Sequence, residues 1–392
     1  MDTGLIVLST LLKILVVLAI VVGLFAPALV WAERRQSAMI QDRIGPSRAS
    51  IKIFGLEIRL AGFLHPLADA LKLIFKEDFV PPGADKLLHG LAPIITMVPA
   101  VLVFAVIPFG DVIHLDYLSK VIPAGEALTG ASIPLVIAPL DVGILFVFAI
   151  ASTGILGAAV GGYASDNKYS LLGGLRAASQ MVSYEVALGL SLVPAFMIYG
   201  TLRLDEMAAI QHEHLWGLAH PPMWIAAVLY MTAAIAESKR IPFDVPESES
   251  ELVGGYFTEY SGMKFGMYFM SEFIEMASLS LLFSVLFLGG WDVPFLTRGG
   301  LDLPGTFELT LPLLGQISDQ IPMTHGWVVG IQTFVFFFVK VVGVLFFLQF
   351  VRWSLPRFRY DQILALCWKG LLPIALLNIL FTGVYVLVFL GG

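Results

Sequence analysis

Residues 236–264, AESKRIPFDVPESESELVGGYFTEYSGMK, carry six carboxylates (Glu237, Asp244, Glu247, Glu249, Glu251 and Glu259) and three basic residues, and they separate a pair of long apolar runs. The flanking runs, 222–237 and 263–288, read as membrane-crossing helices, so this acidic stretch joins two spans. Pro242 and Pro246 bias the residues before them away from helix, and Gly254-Gly255 loosens the middle. The connection therefore folds irregularly before the next helix begins. It is either a solvated link between helices, where acids are common, or a proton-handling element.

Working outward, the rest of the chain shows the same alternation. Apolar runs lie at about 5–31, 91–109, 133–161, 179–199, 222–237, 263–288, 326–350 and 364–390, which predicts eight transmembrane helices. The composition agrees: of 392 residues, 58% are hydrophobic and 14% charged, with a mean hydropathy of +0.86. The expected fold is an all-α polytopic membrane protein forming one integral membrane domain over residues 1–392. The first run is too long for a cleaved signal and lacks a basic leader, so it is expected to stay as a span.

The placement of charge orients this layout. Segments 33–90, 161–179, 239–264 and 352–369 hold 18 Lys and Arg, whereas 109–132, 201–221 and 289–325 hold only Lys120, Arg203 and Arg298. The positive-inside rule makes the first set cytoplasmic and puts both termini on the outer side. The first cytoplasmic segment, 33–90, contains a helical pattern at 66–76. There Leu67, Leu71, Ile74 and Phe75 share one side while Asp69, Lys72 and Lys76 take the other, which predicts an amphipathic helix on the membrane surface. Its role is plain anchoring, or Asp69 does something more.

Ionisable groups inside apolar runs are costly and so mark function or buried pairing. Glu185 lies in the fourth run, Glu237 ends the fifth, and Glu272 and Glu275 are three residues apart on the sixth, on roughly one helix face. They are either hydrogen-bonded structural acids or a row that exchanges protons. Lys340 in the seventh run is a cationic candidate, and Lys13 in the first is expected to snorkel toward the interface. The single cysteine, Cys367, excludes an iron–sulfur cluster or thiolate zinc site built by this chain alone. No phosphate-cradling glycine loop follows a strand.

Several of these strings carry a resemblance. The run AESKRIPFDVPESESELVGGYFTEYSGMKFGMYFMSEF is similar to the signature of the quinone-site membrane subunit of respiratory complex I, the H-subunit family of bacterial NADH-quinone oxidoreductase. WAERR, QDRIGP, LADALKLIFKED, DVGILFVFAIAS, NKYSLLGGLRAASQMVSYEVALGLSL, RWSLPRFRYDQ and WKGLLP match in the same order. The resemblance covers nearly the whole chain. It implies a subunit of a proton-translocating NADH:quinone oxidoreductase that anchors the peripheral arm and forms the path by which quinone, its substrate, leaves the bilayer. FMN, NAD and iron–sulfur clusters would sit on partner subunits. Those partners would be peripheral-arm subunits and small and antiporter-like membrane subunits in a prokaryotic inner membrane, with no nucleic acid.

At residue level, the resemblance implies Glu33, Arg34, Arg35 and Asp69 as quinone-chamber residues. It implies Asp244, Glu247, Glu249, Glu251 and Glu259 as acids below the chamber, and Glu185, Glu237, Glu272 and Glu275 as the start of the coupling path. The chain departs from the family pattern after Pro46, where SRASIKIFGLEIRLAGF replaces a short connection, and at His65, where glutamine is usual. Two other readings stay open: the equivalent subunit of a membrane-bound hydrogenase or of a dehydrogenase linked to coenzyme F420 or ferredoxin, and a stand-alone secondary transporter. The transporter reading lacks an evident inverted repeat.

Overall fold

A computed structural model describes residues 3–53, 56–114, 132–246, 248–297, 300–302, 309–311, 315–317, 320–322 and 325–390. Helix α1 (Thr3–Leu18) runs through a π-helical stretch, Ala19–Phe25, straight into α2 (Ala26–Ile40). This rod outlasts the apolar run by nine residues because 32–40, AERRQSAMI, is polar but free of glycine and proline, and helix propensity does not require lipid. A hairpin of β1 (Ile51–Ile53) and β2 (Leu56–Ile58) follows, and then α3 (Leu64–Phe75), the expected surface helix, begins two residues early.

Helix α4 (Lys86–Leu102) starts where the Asp85 carboxylate accepts from the amides of Leu87 and Leu88 at 3.0 and 3.2 Å, filling two orphan donors. After the short antiparallel pair β3 (Ile113–His114) and β4 (Ser132–Ile133) come α5 (Gly143–Ala164) and α6 (Lys168–Tyr199). Helix α6 begins eleven residues before its apolar run. Asn167 caps it through Tyr169 N, and Gly200 ends it in the left-handed conformation. Helices α7 (Leu204–Glu213), α8 (Pro221–Glu237), the short α9 (Glu249–Leu252) and α10 (Gly262–Phe287) complete the centre of the chain.

Strands β5 (Leu296–Thr297), β6 (Gly300–Asp302) and β9 (Gln320–Pro322) form one small sheet, and β7 (Leu309–Leu311) pairs with β8 (Gly315–Ile317). The last two rods are each broken by π-helical stretches. They are α11 (His325–Val335) with α12 (Val342–Ser354), and α13 (Tyr360–Ala365) with α14 (Leu372–Tyr385).

Among the described residues, seven rods are long and apolar enough to cross a membrane: 7–40, 86–105, 143–164, 168–199, 262–287, 325–354 and 360–390. Helix α8, the eighth expected crossing, has 17 residues, about 25 Å at 1.5 Å per residue and the short end of a spanning length. The axis of the bundle is α10, whose most apolar window is 83% buried. Helices α4, α5 and α6 pack in sequence beside it. The α4–α5 approach needs glycine, since a Cβ on Gly157 would lie 2.1 Å from Thr96 Oγ1 and 2.7 Å from its amide.

Lys13 corrects one expectation. Its amine does not snorkel; it donates to the carbonyls of Pro134 and Val136 at 3.3 and 2.9 Å, pinning α1 to the loop that follows β4. In a helix facing lipid, three donors are better satisfied by nearby carbonyls than by a stretched path to the headgroups.

Candidate functional site

The acidic stretch folds back into the bundle instead of hanging from it. Helix α8 ends at Glu237, and Lys239 then takes a left-handed backbone, φ 54°, turning the chain sharply. Gln180 of α6 holds both sides of this turn, donating from its side-chain amide to the carbonyls of Ala236 and Phe243 at 2.7 and 2.8 Å. The Ile241–Pro242 bond is cis, and Phe358 N donates to the Pro242 carbonyl. Further on, Tyr256 packs so near α6 that a Cβ on Gly173 would come within 2.6 Å of the Tyr256 amide.

These turns assemble a buried network of opposite charges. Glu33, from α2, is shared between two guanidinium groups: Arg240 in the turn, at 2.8 Å, and Arg352 at the end of α12. Arg240 also lies 3.9 Å from Glu272 and 4.2 Å from the centroid of the Phe273 ring. The Tyr256 hydroxyl donates to Glu272 at 3.1 Å. Beside this pair, Lys239 lies 3.6 Å from Glu275. Glu237 is within electrostatic reach of both Glu275 and Glu185, and Glu185 is hydrogen-bonded by Ser152 of α5. Five helices and one loop therefore contribute to one chain of ionisable groups, which does not include the buried Lys340, held instead by the carbonyls of Leu288 and Gly290.

Two cavities adjoin the network. A small one of about 40 Å³ is lined by Glu237, Lys239, Glu275 and Ser278 among apolar walls. One carboxylate oxygen of Glu237 is buried without a hydrogen-bond partner among the described residues. Space of this size admits a few water molecules at roughly 10–15 Å³ each, and the polar lining suits them. The other cavity, about 430 Å³, lies at the foot of α2 and is lined by Glu33, Arg34, Ser37, Arg43, Gly45, Pro46 and Trp353. Glu33 belongs to both the large cavity and the network.

The surface helix does not line this second space but is tied to it through Arg34. Leu67, Leu71, Ile74 and Phe75 of α3 are exposed, as a membrane-facing side requires, while Asp69 points back to Arg34 at 2.6 Å. Trp31 of α2 donates to the Ala61 carbonyl and tilts against Phe63. The unusual insertion ends here: Gly62, at φ 88°, lies so close to Pro46 that a Cβ would come 1.8 Å from its carbonyl oxygen. The cavity wall at Gly45 and Pro46 is thus held from behind by the insertion, and Arg35 lies along Gly45.

Asp244 lies 2.7 Å from Arg357, which also donates to Ser248, and it is within electrostatic reach of Glu272 and Arg352 of the Glu33 cluster. Burial pushes its carboxyl up from 3.8 to about 6, against the lowering pull of Arg357. Glu251 pairs with Arg176 at 2.6 Å on an exposed surface. Glu259 accepts from Asn167 at 2.6 Å and so supports the α6 cap; the network does not include either. Glu249 opens α9, and Glu247 lies outside the described residues. Sequence reading missed the cations that organise the acids, Lys239, Arg240, Arg352 and Arg357, and also Gln180. A signal existed for the arginines: RWSLPRFR directly follows an apolar run, and the positive-inside reading puts it on the same side as the acid-rich loop, which needs partners.

A family model described as NADH dehydrogenase matches residues 12–383. The chain belongs to that family. It is 44% identical over 377 residues to the H subunit, number 2, of the NADH-quinone oxidoreductase of Geobacter sulfurreducens, covering 96% of each chain. It is 40% identical over 359 residues to the corresponding H subunit, number 1, of Cytophaga hutchinsonii, covering 92% of this chain and 91% of that one. Against the H subunit of Thermomicrobium roseum it is 42% identical over 375 residues, covering 94% of this chain and 93% of that one.

Proposed function

We propose that this chain is the quinone-chamber membrane subunit of a proton-translocating NADH:quinone oxidoreductase. In this reading the electrons arrive from partner subunits that carry FMN, NAD and iron–sulfur clusters, and the quinone headgroup enters the cavity between α2, the Arg43–Pro46 turn and Trp353 of α12. The chain spans the membrane eight times with both termini outside, and the network lies toward the cytoplasmic side. Reduction of the quinone takes two electrons and two protons and yields a quinol. Before protonation the reduced headgroup is an anion, and at low dielectric a charge of that kind acts on Glu33 and Arg34 far more strongly than it would in water.

The observation that carries the proposal is the double placement of Glu33. A group that lines the chamber and also bridges Arg240 and Arg352 transmits a new charge directly into the buried chain. Along that chain the carboxyls of Glu33, Glu272, Glu275, Glu237 and Glu185 outnumber the cations Lys239, Arg240 and Arg352. A network with surplus acid stores and passes protons; a network of matched pairs merely locks. Asp69, Arg34 and Arg35 position the headgroup, and Asp244, Glu247, Glu249, Glu251 and Glu259 set the charge and shape of the loop below it.

The test is Glu33→Gln in the assembled complex. Quinone reduction and proton translocation should fall together by about tenfold or more, the equivalent of losing one strong charge interaction at the rate-limiting step, while reduction of an artificial acceptor by the partner subunits stays normal. Full quinone turnover with pumping intact would remove the reading.

A further inference from the structure

A second sizeable space lies far from the network, between α1, the 104–113 segment, the 133–137 segment and α11, with a volume of about 330 Å³. Val17, Val21, Phe104 and Leu281 line its interior and are buried, whereas Leu12 and Val16, 61% and 43% exposed, stand at its mouth. Both mouth residues are on the first crossing rod, so the opening faces hydrocarbon and not water. Lys13 keeps the space from collapsing. Its amine is turned onto the Pro134 and Val136 carbonyls, holding α1 at a fixed distance from the opposite wall. One polar group is left over: Thr333 Oγ1 of α11 lines the cavity, is buried, and has no hydrogen-bond partner among the described residues.

Buried hydroxyls are nearly always paired, and interiors are packed to crystal density, so an apolar space with one unpaired hydroxyl is shaped for a molecule of matching chemistry. Water does not fit, because it needs two to four polar partners. The adjoining medium is the bilayer. We propose that the cavity is a lipid site that takes one acyl chain of a membrane phospholipid, entered between Leu12 and Val16, with the Thr333 hydroxyl donating to an ester carbonyl of that lipid.

The experiment uses the assembled complex in nanodiscs doped with a phosphatidylcholine whose acyl chain carries a diazirine, with adducts mapped by peptide mass spectrometry after irradiation. Adducts are expected at Val21 or Leu281, which lipid around the outside cannot reach. Leu12→Trp, a change at an exposed position that blocks the mouth, should abolish them while labelling of Leu8 and Leu11 persists. Thr333→Val should lower the interior labelling about fivefold, the equivalent of one net hydrogen bond. Adducts confined to the exposed face of α1 would overturn the proposal. So would interior labelling by a diazirine-bearing quinone in place of the phospholipid, or a crosslink there to another subunit.

Discussion

Asp244 shows how one buried acid can make the loop sensitive to pH. Its carboxyl titrates near 6 instead of 3.8 because burial outweighs the attraction of Arg357. A raised folded-state value means that the stabilisation is complete below pH 3.8, where the group is protonated in both states, and is lost as pH climbs through 6. The full effect is of order 3 kcal/mol. The thermal midpoint of the wild-type complex should therefore fall as pH rises from 3.8 to about 6, by a step that Asp244→Asn lacks, as followed by calorimetry. Arg357→Gln removes the lowering partner, so the carboxyl signal of Asp244 in isotope-edited infrared spectra should titrate above pH 6. A midpoint at or below 6 would show that the guanidinium is not acting on it. Arg240 presents the opposite case, a cation held among acids. Arg240→Leu strands Glu33 and Glu272 in a buried place and should cost about 3–5 kcal/mol, whereas Arg240→Lys, a point charge that cannot span two carboxylates, should cost less. Chemical unfolding of the purified complex gives both values. Sequence reading recognised the acids, since carboxylates in an apolar run stand out. It did not recognise that Arg240 and Arg352, more than a hundred residues apart, close on the same Glu33, because nothing local encodes a contact of that range.

Among the elements, helix α3 was legible in nearly full detail. Its apolar side, the position of Asp69 on the other side and its boundaries to within two residues all follow from a 3.6-residue period. Spans were legible as apolar runs but not as helices. Helix α2 extends past Trp31 and α6 starts well before Ser179, because lipid selects for apolarity while caps and glycines decide where a helix stops. Strands of two or three residues, such as β3 to β9, are too short for any period to appear. The Arg34–Asp69 pair allows a decision by magnitude: the side chains are 43% and 34% exposed, so the pair contributes no more than about 1 kcal/mol. Asp69→Asn should thus leave assembly and thermal stability unchanged within about 1 kcal/mol, while quinone reduction falls. Loss of assembly in this variant would make Asp69 a structural strut and not a positioning group for the quinone.

For the whole molecule, orientation has the widest reach, since the proposed function requires the network to meet an electron-delivering arm on the cytoplasmic side. The charge bias among the connecting segments argues for outer placement of 109–132, 201–221 and 289–325. The fold offers a direct check because the single cysteine, Cys367, is buried, 1% exposed, so the native chain is a quiet background for thiol labelling. Asp141, whose side chain is 90% exposed, and His214, exposed after α7, both lie on the side assigned to the outside, and neither enters the network. Asp141→Cys and His214→Cys should react with a membrane-impermeant maleimide in right-side-out vesicles and be protected in inverted ones. The reverse pattern would place Glu33, Arg240 and the large cavity on the outer side. Electrons delivered by a cytoplasmic arm could not then reach a quinone held there, and quinone reduction could not drive the buried network.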